Sequence, residues 1–198
     1  MHPDPDRYDK VASALHWLIG IAMLAQIVFG LLLDEIAPRG TPSRGAVINL
    51  HKSVGIVLGI AIVLRLAWRW RHRPPAWPPS IPPWQQRAAR LGHAALYTCM
   101  VVLPVSGYIA SNFSKRGVIF FGRAVPPWGA DMPGVYAALN LVHVVTGWAL
   151  AVLVAGHVLA ALKHAFIDHD AVFARIWPWG TTPDAAQAGP DTTSRRSA

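Results

Sequence analysis

Long apolar runs separated by short charged blocks dominate the chain. Four of them reach the roughly 20 residues that a helix needs to cross about 30 Å of hydrocarbon. They cover approximately residues 11–33, 46–68, 92–112 and 135–163. The third run carries Pro104 and Gly107, which predicts a kink. The first run is too long for a signal peptide, is interrupted by His16 and Gln26, and is followed by no small-x-small cleavage site, so it reads as a retained helix. The Pro-rich stretch 74–83 reads as a stiff extended linker. The tail 181–198, rich in Ala, Thr, Ser, Pro and Asp, reads as disordered. The pattern therefore predicts one all-α domain over residues 1–180, an integral membrane four-helix bundle.

Composition agrees with this. Hydrophobic residues make up 53 % of the chain and charged ones only 14 %, against about 25 % charged in soluble proteins. A net charge of +8 might suggest a nucleic-acid partner, but the basic residues flank apolar runs and form no basic face, so none is expected. The single cysteine, Cys99, excludes an internal disulfide and covalent c-type haem attachment. Of 18 Lys and Arg, all but Arg39, Arg44, Lys52, Lys115, Arg116 and Arg123 fall on the side that bears both termini. The positive-inside rule then predicts cytoplasmic termini.

Histidines change the picture most. His16, His51, His93, His143 and His157 lie in or at the edges of the apolar runs, where an ionisable group is costly and points to function. His143 and His157 are 14 residues apart, nearly four turns, so they share a helix face about 21 Å apart. The predicted topology gives each histidine a depth: His16 pairs with His157 near the inner surface, and His51 with His143 near the outer. Two bis-histidine sites stacked across a bilayer suit two non-covalent b-type haems. Structural zinc would want four ligands, and no Cys, Asp or Glu lies at these depths. With both axial positions filled, such a group carries electrons and has no open site for substrate. Each histidine could otherwise be a packing residue bonded to a neighbouring helix.

Other polar groups are read more loosely. His93 and His164 stand at the inner boundary, either simply solvated or facing a quinone head group as proton relays. Arg65 follows His51 by 14 residues and so faces the inner site, where it either meets a haem propionate or extends to the surface beside Arg69. Lys52 and Arg7 are similar candidates for a propionate or a lipid head group. Trp17, Trp68, Trp70, Trp148, Trp177 and Trp179 fit an interfacial belt. Gly20, Gly30, Gly55, Gly59, Gly147 and Gly156 could leave room for a flat macrocycle or serve ordinary helix packing.

The chain resembles the bacterial cytochrome b561 family in four stretches that cover all four runs in order: RYDKVASALHWLIG (7–20), HKSVGIVLGIAIVLRLAWR (51–69), HAALYTCMVVLPVSGY (93–108) and LVHVVTGWALAVLVAGHVLAALKHAFIDHDAVFARIWP (141–178). The resemblance implies His16, His51, His143 and His157 as axial ligands of two haems b. It implies exchange of electrons with ubiquinone in the inner membrane, with the His164 end of the fourth run as head-group site and an outer-side donor, for which superoxide has been proposed in the family. It also leaves open a b-type anchor subunit of a hydrogenase or dehydrogenase.

Overall fold

The computed structural model describes residues 7–177. Four helices carry the fold: α1 Lys10–Leu31, α3 Arg44–Arg71, α4 Pro83–Asn112 and α5 Pro133–Phe166. All four are long and apolar enough to cross a membrane. Short helices α2 Leu33–Ile36 and α6 Ala171–Ala174 and the strands β1 Val118–Phe120 and β2 Arg123–Val125 complete it. Neighbours α1/α3, α3/α4 and α4/α5 pack side by side. One end of the bundle holds both described termini. The other holds the β1–β2 hairpin.

The helices are apolar all round, as lipid-facing helices must be. On α1, Ile19, Met23 and Ile27 recur every four residues and are buried, while Leu18 and Ile21 on other faces are 70 % and 65 % exposed. The buried stripe meets Leu58 and Ile62 of α3 and Leu150 of α5 in a small mid-bundle core. In hydrocarbon a helix satisfies its own backbone, and only the ends need help. At the start of α1, the Asp9 carboxylate accepts from Ala12 N at 2.8 Å and also from Trp68 Nε1 of α3 at 3.2 Å, so one cap fixes two helices.

Helix α4 starts at Pro83, ahead of the 92–112 run read from hydropathy. The proline run explains the difference. Pro82 is extended (ψ 153°) and Pro83 occupies the first turn, where its missing N–H costs nothing. The linker before it has no helix or strand, but it is not extended throughout as expected: a turn at 79–80 is closed by Ile81 N donating to Pro78 O at 3.1 Å. Pro104 lies inside an unbroken α4. A Cβ added at Gly59 of α3 would come within 3.2 Å of the Pro104 ring, so that glycine permits a close helix crossing.

The β1–β2 hairpin was not legible in the pattern. Its two-residue turn, Phe121–Gly122, has φ of 43° and 87°, which suits the right-handed twist of a tight hairpin. It is fastened to α3: Ile119 N donates to Asn49 Oδ1 at 3.1 Å and Phe121 N to Ser53 Oγ at 3.0 Å.

At the opposite end, residues after α5 fold back over the start of α1. Asp170 caps α6 by accepting from Val172 N at 3.0 Å. Trp17 Nε1 donates to Ile176 O at 3.1 Å, Tyr8 N donates to Arg175 O at 3.2 Å, and Arg7 bonds to Trp177 O. Trp17 stands edge-on to both Phe173 and Trp177. Arg7 and Arg175, counted by sequence among the inner surface charges, are thus drawn into this strap, and Arg175 is buried. The expected tail 181–198, Trp179 and His2 lie outside the described residues.

Candidate functional site

The histidines collect into two groups at opposite ends of the bundle. At the hairpin end, His51 of α3 and His143 of α5 have ring centres 6.1 Å apart. At the termini end, His16 of α1 and His157 of α5 are 6.2 Å apart, and His93 of α4 joins them at 5.5 Å from His157. Two imidazoles sharing one metal at about 2.0–2.1 Å, each ring centre roughly 1.1 Å behind its nitrogen, would have centres about 6.3 Å apart. Both pairs match that span. Neither includes a carboxylate or thiolate: among the described residues, the one cluster of metal-ligating side chains is His164, Asp168 and Asp170, elsewhere. A group supplying its own equatorial donors and needing two axial imidazoles fits both pairs.

The surroundings of each ring differ. His143 Nδ1 donates to Leu103 O of α4 at 2.8 Å, which leaves the other ring nitrogen as the free acceptor. Gly107 makes this approach possible, since a Cβ there would lie 2.8 Å from His143 Nδ1. Gly30 does the same for His51, whose Cε1 is 3.0 Å from where that Cβ would be. Gln26 of α1 holds His51 twice, with Nε2 3.1 Å from Nδ1 and 2.7 Å from the His51 carbonyl oxygen. Phe29 stacks on the same ring, with centres 6.0 Å apart.

Of the glycines read as room for a macrocycle, Gly20 and Gly156 do face open space. Gly30 is filled by a histidine ring, Gly59 by Pro104, Gly55 by Gln26 and Gly147 by Leu103.

Arg65 reaches the termini-end group. Its guanidinium lies 3.0 Å from His16 Nδ1 and 6.0 Å from the Tyr97 ring centre. Among the described residues no carboxylate stands within 4.0 Å of it. A guanidinium only donates, so His16 Nδ1 is the acceptor in this contact. Lys52 is turned elsewhere: its ammonium donates to Gly117 O at 2.9 Å, beside the hairpin.

His164 sits at the root of the strap. Its Nδ1 is 2.6 Å from Asp170 Oδ2 and 3.3 Å from Asp168 Oδ2. Lys163 donates to Asp168 Oδ1 at 2.8 Å, and that hydrogen bond holds the Asp168 carboxyl below its usual range. With the Lys163 ammonium on Asp168, that carboxylate is already paired within the strap.

Gln26, Gly107 and Tyr97 escaped the reading as site residues, while Gly30, read as room for a macrocycle or as helix packing, lies against the His51 ring. Gln26 carried a signal, being a polar residue deep in an apolar run. Gly107 and Tyr97 carried none, because their roles depend on which helix lies opposite.

A four-helix membrane bundle with a histidine pair toward each end belongs to the class of helical membrane cytochromes. Comparison with known sequences makes the assignment specific. The prokaryotic cytochrome b561 family matches residues 7–179, and the chain belongs to that family. It is 34 % identical to cytochrome b561 homolog 2 of Escherichia coli (strain K12) over 173 residues, 87 % of this chain and 92 % of the relative. It is 28 % identical to cytochrome b561 homolog 1 of the same organism, covering 87 % of this chain and 98 % of that one. A more distant relative, at 24 % identity with 87 % and 96 % covered, is the probable superoxide oxidase CybB of Yersinia pestis. Membership brings a b-type haem, a role in membrane electron transfer, and a multi-pass place in the bacterial inner membrane.

Proposed function

We propose that the protein passes electrons across the inner membrane between an outer-side donor and the quinone pool, through two haems b. One would be held by His51 and His143, the other by His16 and His157. The observation that carries this reading is the matched separation of the two pairs, 6.1 and 6.2 Å, at opposite ends of one bundle. A haem so held supplies a one-electron couple with both axial positions occupied.

The chain's own residues do the rest. His143 presents one nitrogen because the other donates to Leu103 O. His16 can present its far nitrogen as a lone pair only with Nδ1 protonated, which is incompatible with an Arg65 donor 3.0 Å away. Arg65 therefore has to leave His16 on loading, and a propionate is the acceptor that it lacks among nearby side chains. Lys52, bonded to Gly117 O, fixes the hairpin over the outer pair and is an indirect contributor at most to propionate binding. Between the two sites, Leu150 stands midway from His143 to His157 and is fully buried in an apolar cluster with Ile19, Met23, Leu58 and Ile62.

Termini in the cytoplasm would put the hairpin on the outer face. Two of its basic residues, Arg116 and Arg123, have no acidic partner within 4.0 Å among the described residues, whereas Arg39, Arg44 and Lys115 pair with Asp34 or Asp131. An unpaired basic face attracts small anions, which favours superoxide as the donor. At the cytoplasmic face His93, beside His157, and His164, bonded to Asp170, would relay protons to and from the quinone.

The test is mixing of purified holoprotein with ubiquinol under anaerobic conditions, and separately, in aerated buffer, with enzymatically generated superoxide, while the haem α-band is followed. Both reagents should reduce the band. If neither does while dithionite does, the proposed role fails.

A further inference from the structure

A groove between α3 and α4 opens sideways to lipid and belongs to neither histidine pair. Its upper part, at the termini end, is a cleft of about 570 Å³ walled by Leu66, Trp70 and Pro74, with Arg69 and Tyr97 as its polar residues. Its lower part, about 520 Å³, runs past Ile60, Gly59 and Pro104 and is almost wholly apolar. Val63 lines both, so the two clefts adjoin along the α3/α4 face from the termini end toward the middle of the bundle.

Resting on the function proposed above, we infer that this α3/α4 groove is the quinone site, with the head group between Arg69 and Tyr97 and the isoprenoid tail along Val63 and Gly59. Two observations favour a quinone. First, the polar end offers N–H and O–H donors set in apolar walls, which suits a neutral ring with two carbonyl acceptors. Second, Tyr97 is shared with the redox end of the bundle: the Arg69 guanidinium is 5.6 Å from its ring centre, and Arg65, itself 3.0 Å from His16, is 6.0 Å from the same ring. His93 sits one turn before Tyr97 on α4 and 5.5 Å from His157. A head group in the cleft is therefore one side chain away from the His16/His157 pair.

The chemistry balances without further reagents. Quinol becomes quinone by breaking two O–H bonds and giving up two electrons and two protons; the reverse reaction takes them up. The electrons would be exchanged with the haem that His16 and His157 would hold, and the protons with water at the termini-end boundary. The His164 region is less suited, since Nδ1 of that ring is already held by Asp170 and Asp168.

The experiment is photolabelling of holoprotein in nanodiscs with an azido-ubiquinone, competed by ubiquinone or by phosphatidylglycerol, followed by peptide mapping. A parallel set uses Val63→Trp, which plugs the neck from an exposed position, and Tyr97→Phe. The inference expects saturable labelling of peptides containing Arg69 or Tyr97. In Val63→Trp it expects about a tenfold loss of labelling and of the quinol reduction rate, with the dithionite-reduced haem spectrum unchanged. Labelling concentrated at 164–170, or competition by phosphatidylglycerol alone, overturns the groove as the quinone site while quinol still reduces the haem. Loss of both saturable labelling and quinol reduction in the unmodified protein overturns the underlying role as well.

Discussion

Gly107 and Arg65 show how single residues set the two histidine pairs apart. A methyl at position 107 would meet His143 Nδ1 at 2.8 Å and push the ring off Leu103 O. Losing such an outer contact costs roughly 10–100-fold in metal affinity. Gly107→Ala is therefore expected to deplete the hairpin-end haem selectively, which redox titration of the α-band would register as loss of one of two components. Two intact components would mean that Gly107 is not a cradle for a ligand. Arg65 brings a positive charge to the termini-end group, where it would stay close on moving to a propionate, and a nearby cation favours the more negative, reduced form of an iron couple. Arg65→Leu should lower the midpoint of the termini-end component by about 60 mV, the equivalent of tenfold for one electron. An unchanged midpoint would place Arg65 away from that haem in the loaded protein.

At the scale of elements, legibility followed locality. The 14-residue spacing of His143 and His157 could be read because a single helix fixes both, and His16 and His51 followed once alternate helices had opposite directions. The hairpin was missed because Phe121–Gly122 lacks the Asn-Gly or Asp-Gly signal of such turns. Lys52, a candidate by sequence for a propionate or a lipid head group, bonds to Gly117 O, a partner that exists only once the hairpin is folded. The start of α4 was placed late because prolines read as linker also supply the first turn. Gly30, Gly107 and the α3/α4 groove are products of packing between helices, which no single run records.

The hairpin and the strap have testable stabilities of their own. Ser53→Ala removes the acceptor for Phe121 N, an effect of about 1–2 kcal/mol. Hydrogen exchange over 118–125 should accelerate with the haem spectrum retained; unchanged exchange would deny Ser53 its anchoring role. In the strap, Lys163 keeps the Asp168 carboxyl below its ordinary value of 3.8. A carboxyl depressed in the folded state contributes its stability above the unfolded value, and that contribution is lost as pH falls through the lower folded one. Protection factors over 167–177, taken against the intrinsic exchange rate at each pH, should thus fall as pH drops below about 4, and Lys163→Met should abolish that step.

For the whole molecule, the bundle reads as an insulated conduit: a histidine pair at each end, an apolar core around Leu150 between them, a basic hairpin over one mouth and an aromatic strap over the other. That layout has meaning only if both pairs are loaded. The most direct measurement is pyridine haemochrome quantification of haem per chain in purified protein, repeated on His143→Ala and His16→Ala. The account predicts two haems b per chain in the unmodified protein and one in each variant. One haem or none in the unmodified protein, or two retained in either variant, would contradict it.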